Sequence, residues 1–310
     1  MRARIRDFVI TKQGWVFSVV SYELREAEAV NCLLRYVPDE RGERVSERGR
    51  YRKLDFYESY KYLKWHRPEY VNNVHIVPKR DIEEILRPDM QLPVIAEREA
   101  EIRYVYDLLR DYVPKGHLGI TGSFLCGLNR EGSDYDFVVY GRNTFNTVRA
   151  IIEKAKKENM IKDINGAMWR RIYEKRKPEL SYEQFVRHER RKQNRAVIGD
   201  TYLDILYVRD WDEIDLLDSS IYAQGERKGY AKITAVVKDA SFSFDSPAIY
   251  GVDHTQISEI LSFTHTYTGQ ALEGEKIEAR GMVEKMRDET RLIVGTTREA
   301  KGEWIKSLSF

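Results

Sequence analysis

The chain has 310 residues, of which 42% are hydrophobic and 33% charged, so it fits a soluble globular protein with two or three domains. Its net charge of +2 means that any basic surface must be local, and its two cysteines, Cys32 and Cys126, exclude a disulfide framework or a zinc motif. No apolar run approaches the ~18 residues of a membrane helix, and the basic start lacks a signal-peptide core. We therefore expect a cytoplasmic protein without a membrane partner.

Residues 1–90 are predicted to form an N-terminal α+β domain. Two strand-like runs flank Lys12-Gln13-Gly14, which is a hairpin signal, and a third apolar run, "AVNCLLRYVP", ends at Pro38. Aromatic and apolar residues at helical spacing follow from Phe56 to Leu63. Prolines then recur at positions 68, 78, 88 and 93, which predicts an irregular connector and a domain boundary near residue 90.

Residues 91–218 are predicted to form a second domain. An apolar stripe indicates a helix over about 95–113, and "HLGIT" and "DYDFVVY" are strand-like. An amphipathic helix, "TFNTVRAIIEKAKKENM", comes next. Ser181 and Gln184 form a capping box that opens a basic helix running to about 195, and "TYLDILYV" is a strand. This order of elements predicts an α/β or α+β domain.

Residues 226–310 contain short strand-like runs separated by turn residues, among them "YAKITAVVKDASFSF", "PAIYGV", "KIEARGMVEKM" and "RLIVGTT". They predict a small β-rich C-terminal domain whose strands could close into a barrel. The fold class of the whole chain is therefore predicted to be α+β, with a central mixed sheet and helices between two flanking domains.

Three aspartates stand on strands that are otherwise apolar. Side chains alternate along a strand, so Asp134 and Asp136 share one face, while Asp204 lies inside "TYLDILYV". A buried carboxylate is costly unless its charge is met, and two like charges 4 Å apart repel by roughly 4 kcal/mol at an effective dielectric near 20. A divalent cation bound between the carboxylates replaces this repulsion with a net attraction. Oxygen ligands suit Mg²⁺ or Mn²⁺, whose remaining positions phosphate oxygens can take.

A Gly-Ser turn precedes the first two aspartates by a short distance. Gly122 lets the backbone approach a ligand, while turn N–H groups and the Ser123 hydroxyl favour a phosphate. Arg130 stands four residues before Asp134, from where its guanidinium could reach a phosphate. A phosphate-binding turn beside carboxylate-bound metals is typical of phosphoryl or nucleotidyl transfer.

The segment "GSFLCGLNREGSDYDFVV" resembles the signature of the DNA polymerase beta-like nucleotidyltransferase superfamily, which is Gly-Ser, a short helix and Asp-x-Asp on a strand. The resemblance implies that Asp134 and Asp136 bind both metals. It also implies that Asp204 is the third metal-binding carboxylate and activates the attacking hydroxyl. Gly122 and Ser123 would hold the triphosphate.

One position departs from that pattern, and the flanks add a second resemblance. Members of the superfamily often carry an arginine where this chain has Cys126, which would leave part of the phosphate-binding set absent or replaced. The flanking segments "GRYRKLDFYESYKYL" and "LSFTHTYTGQALEGE" resemble those of an archaeal family of predicted nucleotidyltransferases with extra N- and C-terminal domains.

The expected function is the Mg²⁺- or Mn²⁺-dependent transfer of a nucleoside monophosphate from an NTP, such as ATP, to a hydroxyl acceptor. Residues 170–195 hold ten Lys or Arg and four Glu, which favours an RNA or DNA end as acceptor, although a solvated helix face explains the charge equally well. Nucleotidylation of a protein or a small molecule stays open. So do a nucleic-acid-binding protein with a degenerate transferase core, and a structural subunit of a larger complex.

Overall fold

The computed structural model of the chain describes residues 2–22, 27–297 and 299–310. By the density of internal contacts these residues fall into two units. The first unit takes the chain up to Lys162 together with Ala196–Leu216, and the second takes Asp163–Arg195 with Leu217–Phe310. The boundaries proposed at residues 90 and 218 remain predictions.

Seven of the strands in the described ranges form one N-terminal sheet in the first unit, in the order β4-β5-β3-β2-β1-β7 with β6 on β3. Its strands are β1 (Phe8–Thr11), β2 (Val16–Val19), β3 (Ala29–Pro38), β4 (Arg44–Ser46), β5 (Gly49–Lys53), β6 (His75–Pro78) and β7 (Ile82–Leu86), with helix α1 (Phe56–His66) after β5. The predicted hairpin is confirmed by the antiparallel pairing of β1 with β2. The predicted irregular connector is wrong in part, because β6 and β7 pair with β3 and β1.

The N-terminal sheet buries both of its faces. On one face Phe17 and Leu34 pack with Leu63 of α1. On the other face a second apolar cluster joins the sheet to residues that follow the Gly-Ser turn; it contains Phe8, Ile10, Val16, Tyr36, Tyr51, Leu86, Leu125, Cys126 and Leu128. The Gly-Ser segment is therefore held against the N-terminal sheet by apolar packing, which stabilises both.

A four-stranded mixed sheet, the central sheet, follows in the order β10-β11-β9-β8. Its strands are β8 (Leu118–Ile120), β9 (Tyr135–Tyr140), β10 (Arg195–Ile198) and β11 (Thr201–Val208). The later helices are α2 (Pro88–Arg98), α3 (Ala100–Leu109), α4 (Gly122–Leu125), α5 (Arg142–Lys157), α6 (Gly166–Arg176), α7 (Tyr182–Arg191) and α8 (Trp211–Asp215). The helix predicted over 95–113 begins earlier and breaks at Glu99, whose backbone is extended. No helix in the described ranges is long and apolar enough to cross a membrane.

The second unit contains a closed five-stranded barrel, which confirms the β-rich C-terminal fold. Its strands are β12 (Glu226–Asp239), β13 (Ala248–Asp253), β14 (Glu259–Ser262), β15 (Lys276–Lys285) and β16 (Thr290–Val294), and β17 (Trp304–Ser307) pairs with β15. The ring runs β12-β13-β14-β16-β15 and closes by the pairing of β15 with β12. Closure leaves the five ring strands paired on both sides, which avoids open sheet edges.

The predicted capping box of the basic helix is confirmed at the start of α7. The Ser181 side chain accepts the N–H of Gln184, and the Gln184 side chain accepts the N–H of Ser181. In the last turn of the helix the buried Glu189 forms ion pairs with three basic residues, which are Arg176, Lys192 and Arg195. Part of the basic run therefore neutralises an internal carboxylate, which would otherwise be costly to bury.

His188 of α7 is held neutral by its surroundings, which predicts a pH-dependent stability. Its Nδ1 lies 2.6 Å from the Gln184 carbonyl and its Nε2 accepts the N–H of Ser307 at 3.0 Å. Burial lowers the pKa of His188 to about 4, helped by the positive charges of Arg191 and Lys192 and opposed by the Gln184 bond. An unfolded histidine titrates near pH 6.5, so the unfolded state binds more protons between pH 6.5 and 4.

We therefore expect the stability that His188 contributes to be full above pH 6.5 and lost as the pH falls toward 4, by up to about 3 kcal/mol. Thermal midpoints of wild type and His188→Gln, measured from pH 7 to pH 4.5, should converge at the acid end. His66→Gln alters an exposed histidine and serves as the control. Parallel pH profiles for wild type and His188→Gln would contradict the assignment.

Candidate active site

The pairing of two central strands brings two of the three predicted aspartates together. Strands β9 and β11 are parallel, and in their register Asp136 is the partner of Asp204. Paired residues on neighbouring strands lie about 5 Å apart and point to the same face. Asp204 is only 4% exposed, Asp136 is half-buried, and the Tyr202 hydroxyl donates to Asp204 Oδ2 at 3.2 Å. The two carboxylates therefore project from the same face of the central sheet, side by side.

Asp134 lies one residue before β9 begins and is half-buried. Among the residues that the structure describes, no group of three or more His, Cys, Asp or Glu side chains is arranged to hold a metal ion by itself. A metal ion at this site would be held by the facing pair Asp136 and Asp204, with Asp134 nearby in the chain. This set fits Mg²⁺ or Mn²⁺, because Mg²⁺ commonly takes one or two protein carboxylates and completes its shell with waters and substrate phosphates.

The Gly-Ser turn lies directly against Asp136. The N–H of Thr121 donates to the Asp136 carbonyl at 2.8 Å, and Gly122 follows with a φ of +71°. A Cβ on Gly122 would stand 2.8 Å from Asp136 Oδ2. Only glycine both adopts this backbone readily and leaves room for the carboxylate. The half-buried Ser123 comes next, at the start of the short helix α4.

Arg130 lies outside this group of residues. It is exposed, in a turn closed by the N–H of Arg130 to Ser133 Oγ at 2.9 Å and the N–H of Ser133 to the Arg130 carbonyl at 3.0 Å. Its positive charge reaches Glu43: burial raises the pKa of Glu43, but backbone hydrogen bonds and then Arg44 and Arg130 leave it lowered overall. A phosphate-binding role for Arg130 remains a prediction.

A cation that the motif did not predict lies near enough to the carboxylate pair for their charges to interact. Removal from water lowers the pKa of Arg6, and the negative charges of Asp136 and Asp204 act against that effect. The Arg6 carbonyl accepts the Thr121 hydroxyl at 2.6 Å, which ties the N-terminal segment to the Gly-Ser turn. Nothing in the sequence motif marks Arg6, and the only local signal is the basic start of the chain.

Part of this site lies in a segment that is similar to a known protein family. The family described as nucleotidyltransferase domain matches residues 102–193. That range includes the Gly-Ser turn and the Asp-x-Asp strand but ends before Asp204. An uncharacterized protein of the archaeon Methanocaldococcus jannaschii is 36% identical to this chain, over 99% of this chain and 99% of the relative. No solved structure gives a significant match.

The close approach of Gly122 to Asp136 predicts an unequal effect of two alanine substitutions. Gly122→Ala and Gly132→Ala both put a side chain at a φ near +70°, which costs about 1–2 kcal/mol. A Cβ at Gly132 meets no atom within 4 Å, whereas one at Gly122 meets the carboxylate. We expect Gly122→Ala to lower the unfolding free energy by a further ~1–3 kcal/mol through overpacking. Urea unfolding of both variants measures the difference, and equal decreases would contradict the close approach.

Proposed function

Because this chain belongs to the DNA polymerase beta-like nucleotidyltransferase superfamily, in one family with its archaeal relative, we propose that it transfers a nucleoside monophosphate from an NTP to a hydroxyl acceptor and releases pyrophosphate. The observation that supports this most directly is the register of Asp136 with Asp204 beneath Gly122. A carboxylate buried opposite another carboxylate is unfavourable in a purely structural sheet. The cost is offset when the pair binds a cation.

Each residue then has a role set by its position. Asp136 and Asp204 would hold Mg²⁺ or Mn²⁺, with Asp134 as a further ligand. When bound, such an ion stabilises the negative charge that develops on the transferring phosphoryl oxygens. The Tyr202 bond orients the Asp204 carboxylate, which assists removal of the acceptor's proton. Gly122 and Ser123 would bind the triphosphate through the turn backbone and the serine hydroxyl.

The test is incubation of the protein with each α-labelled NTP, Mg²⁺ or Mn²⁺, and a pool of RNA, DNA oligomers and the protein itself. We expect Asp136→Asn and Asp204→Asn each to lower label transfer at least about a hundredfold, since each removes a carboxylate that would hold the cation that stabilises the transition state. Asp200→Asn is the matched control, because Asp200 is exposed at the start of the same strand segment, 3.7 Å from Lys162.

Label transfer by wild type and Asp200→Asn, with strongly reduced transfer in the two site variants, would support the enzyme. The acceptor that carries the label names the acceptor class, so label on the protein itself would indicate protein nucleotidylation. Equal labelling by wild type and Asp136→Asn would overturn the assigned site. Absence of both label transfer and NTP binding would favour a binding protein with a degenerate core.

We favour a nucleic-acid end as acceptor because of one surface in the second unit. Arg187, Arg190 and Arg191 line a cavity of about 490 Å³ together with Gln193 and Phe310. The Arg191 guanidinium lies 4.7 Å from the centre of the Phe310 ring, and it also pairs with Glu275. The exposed guanidinium groups of Arg187 and Arg190 would suit a phosphate backbone, and the neighbouring Phe310 ring would suit a stacked base.

The other exposed basic residues extend the positive charge along the preceding helix. The internal pairs with Glu189 and Glu275 account for four of the ten basic residues in 170–195, and the six exposed ones are Arg170, Arg171, Lys175, Lys177, Arg187 and Arg190. Arg170 lies over the Tyr182 ring at 4.1 Å. This exposed set, and not the total charge of the segment, is what a nucleic acid would meet.

Substitutions on this surface should distinguish the contribution of charge to nucleic-acid affinity from the contribution of base stacking. In the double variant Arg187→Ala/Arg190→Ala, the slope of log affinity for single-stranded RNA against log salt should fall by about 0.7 for each phosphate that is no longer neutralised. Phe310→Ala should weaken binding by about 1–3 kcal/mol with little change in slope. The exposed pair Lys154→Ala/Lys157→Ala on α5 is the charge-matched control. Unchanged affinity in the arginine and Phe310 variants would contradict this surface.

A further inference from the structure

Arg6 occupies a backbone conformation that arginine does not favour. Its φ is +76°, in the left-handed region, where a residue with a Cβ pays roughly 1–2 kcal/mol. The turn is held from both sides: the N–H of Arg6 donates to the Val19 carbonyl at 3.2 Å, and its own carbonyl accepts the Thr121 hydroxyl at 2.6 Å. A glycine would fit this turn with less strain, so the side chain at position 6 needs a reason other than the turn.

A second arginine, Arg35, lies at an irregularity in strand β3. In the pairing of β2 with β3, Val16 is opposite Tyr36 and Phe17 is opposite Leu34, so Arg35 is skipped. Leu34 belongs to the cluster on one face of the N-terminal sheet and Tyr36 to the cluster on the other. Because Arg35 alternates with Leu34, the bulge places it on the Tyr36 face, which packs on helix α4 and its neighbours. Bulges commonly re-aim side chains in this way beside functional sites.

The charges of the two arginines act on the site and on each other. Burial lowers the pKa of Arg6; Asp136 and Asp204 oppose that effect, and the positive charge of Arg35 adds to it. Burial also raises the pKa of the Cys126 thiol, and Arg35 opposes that rise, so Arg35 acts on the residue that ends α4. Two guanidinium groups that repel each other are stabilised when an anion lies between them.

We propose that Arg6 and Arg35 of the N-terminal sheet bind the triphosphate of the substrate NTP, so that the nucleotide site is shared between this sheet and the central sheet. The proposal rests on the proposed function for the identity of the anion. Two guanidinium groups balance the two facing carboxylates. The two positive charges lower the electrostatic cost of bringing a polyanionic triphosphate next to these carboxylates. Guanidinium groups suit this role because their fixed N–H donors fit phosphate oxygens.

The experiment measures binding of ATP, ADP, AMP and adenosine by calorimetry in Mg²⁺ without any acceptor. We expect Arg6→Gly and Arg35→Gln each to weaken ATP binding about 10- to 100-fold, the range for a charge-assisted hydrogen bond. Adenosine affinity should stay unchanged. Arg52→Gln is the control, since Arg52 is also half-buried on the N-terminal sheet but pairs with Asp39 and Glu58.

Arg6→Gly also separates a ligand role from a structural one. Glycine relieves the left-handed strain, and Mg²⁺ replaces the lost positive charge at the carboxylates. In saturating Mg²⁺ the thermal midpoint of Arg6→Gly should therefore equal or exceed that of wild type, while ATP binding weakens. Arg6→Lys and Arg35→Lys keep the positive charge but lose the fixed pair of N–H donors. Their ATP affinities should lie between those of wild type and the neutral variants. A lower midpoint with unchanged ATP affinity would assign the arginines to the fold and overturn the proposal.

The outcomes distinguish this proposal from the proposed function. Weakened ATP binding in the arginine variants supports it even if no acceptor is ever labelled. Wild-type ATP affinity in those variants, together with transfer that depends on Asp136, overturns the arginine proposal alone. An equal decrease in ATP and adenosine binding would indicate a damaged nucleoside pocket and overturn it too. Absence of ATP binding by the wild type would overturn both.

Discussion

The register of β9 with β11 is the constraint on which the candidate site depends. It sets Asp136 beside Asp204, one half-buried and one almost completely buried, although like charges repel more strongly as water is removed. The surrounding residues are arranged for that pair. Gly122 leaves room for one carboxylate, the Tyr202 hydroxyl donates to the other, and the positive charge of Arg6 acts on both. A shift of the register by one residue would turn Asp204 to the opposite face of the sheet and separate the two carboxylates.

The N-terminal sheet is in direct contact with the segment that forms this site. One of its faces packs on Leu125, Cys126 and Leu128, and the Thr121 hydroxyl binds the Arg6 carbonyl. Cys126 stands where related nucleotidyltransferases often carry an arginine, and the charge of Arg35 acts on it from β3. The same apolar packing that stabilises the sheet holds strand β3, which carries Arg35, against the segment that follows the Gly-Ser turn.

The second unit shows how a charge count from sequence can mislead. Glu189 is buried with Arg176, Lys192 and Arg195, and Glu275 pairs with Arg191. These ion pairs serve the interior of the unit, because a buried carboxylate without partners would be strongly destabilising. The exposed remainder forms a smaller basic surface that includes Arg187 and Arg190 beside Phe310.

The sequence by itself determined the features that depend on local periodicity and turn chemistry. These include the hairpin after Phe8, the capping box of Ser181 and Gln184, the β-rich C-terminal segment, and the strand positions of Asp136 and Asp204. Alternation along a strand and a capping side chain act within a few residues, so a linear pattern carries them. That the C-terminal strands close into a ring, and that the helix over 95–113 breaks at Glu99, became visible only in three dimensions.

Tertiary structure alone decided which distant groups meet. The partnership of Asp136 with Asp204, the bulge that turns Arg35, the approach of Arg6 and the choice of basic residues that face inward all join positions far apart in the chain. No pattern within a segment encodes them, because they arise from strand register and from the packing of one apolar face on another. Register and packing are properties of the whole fold.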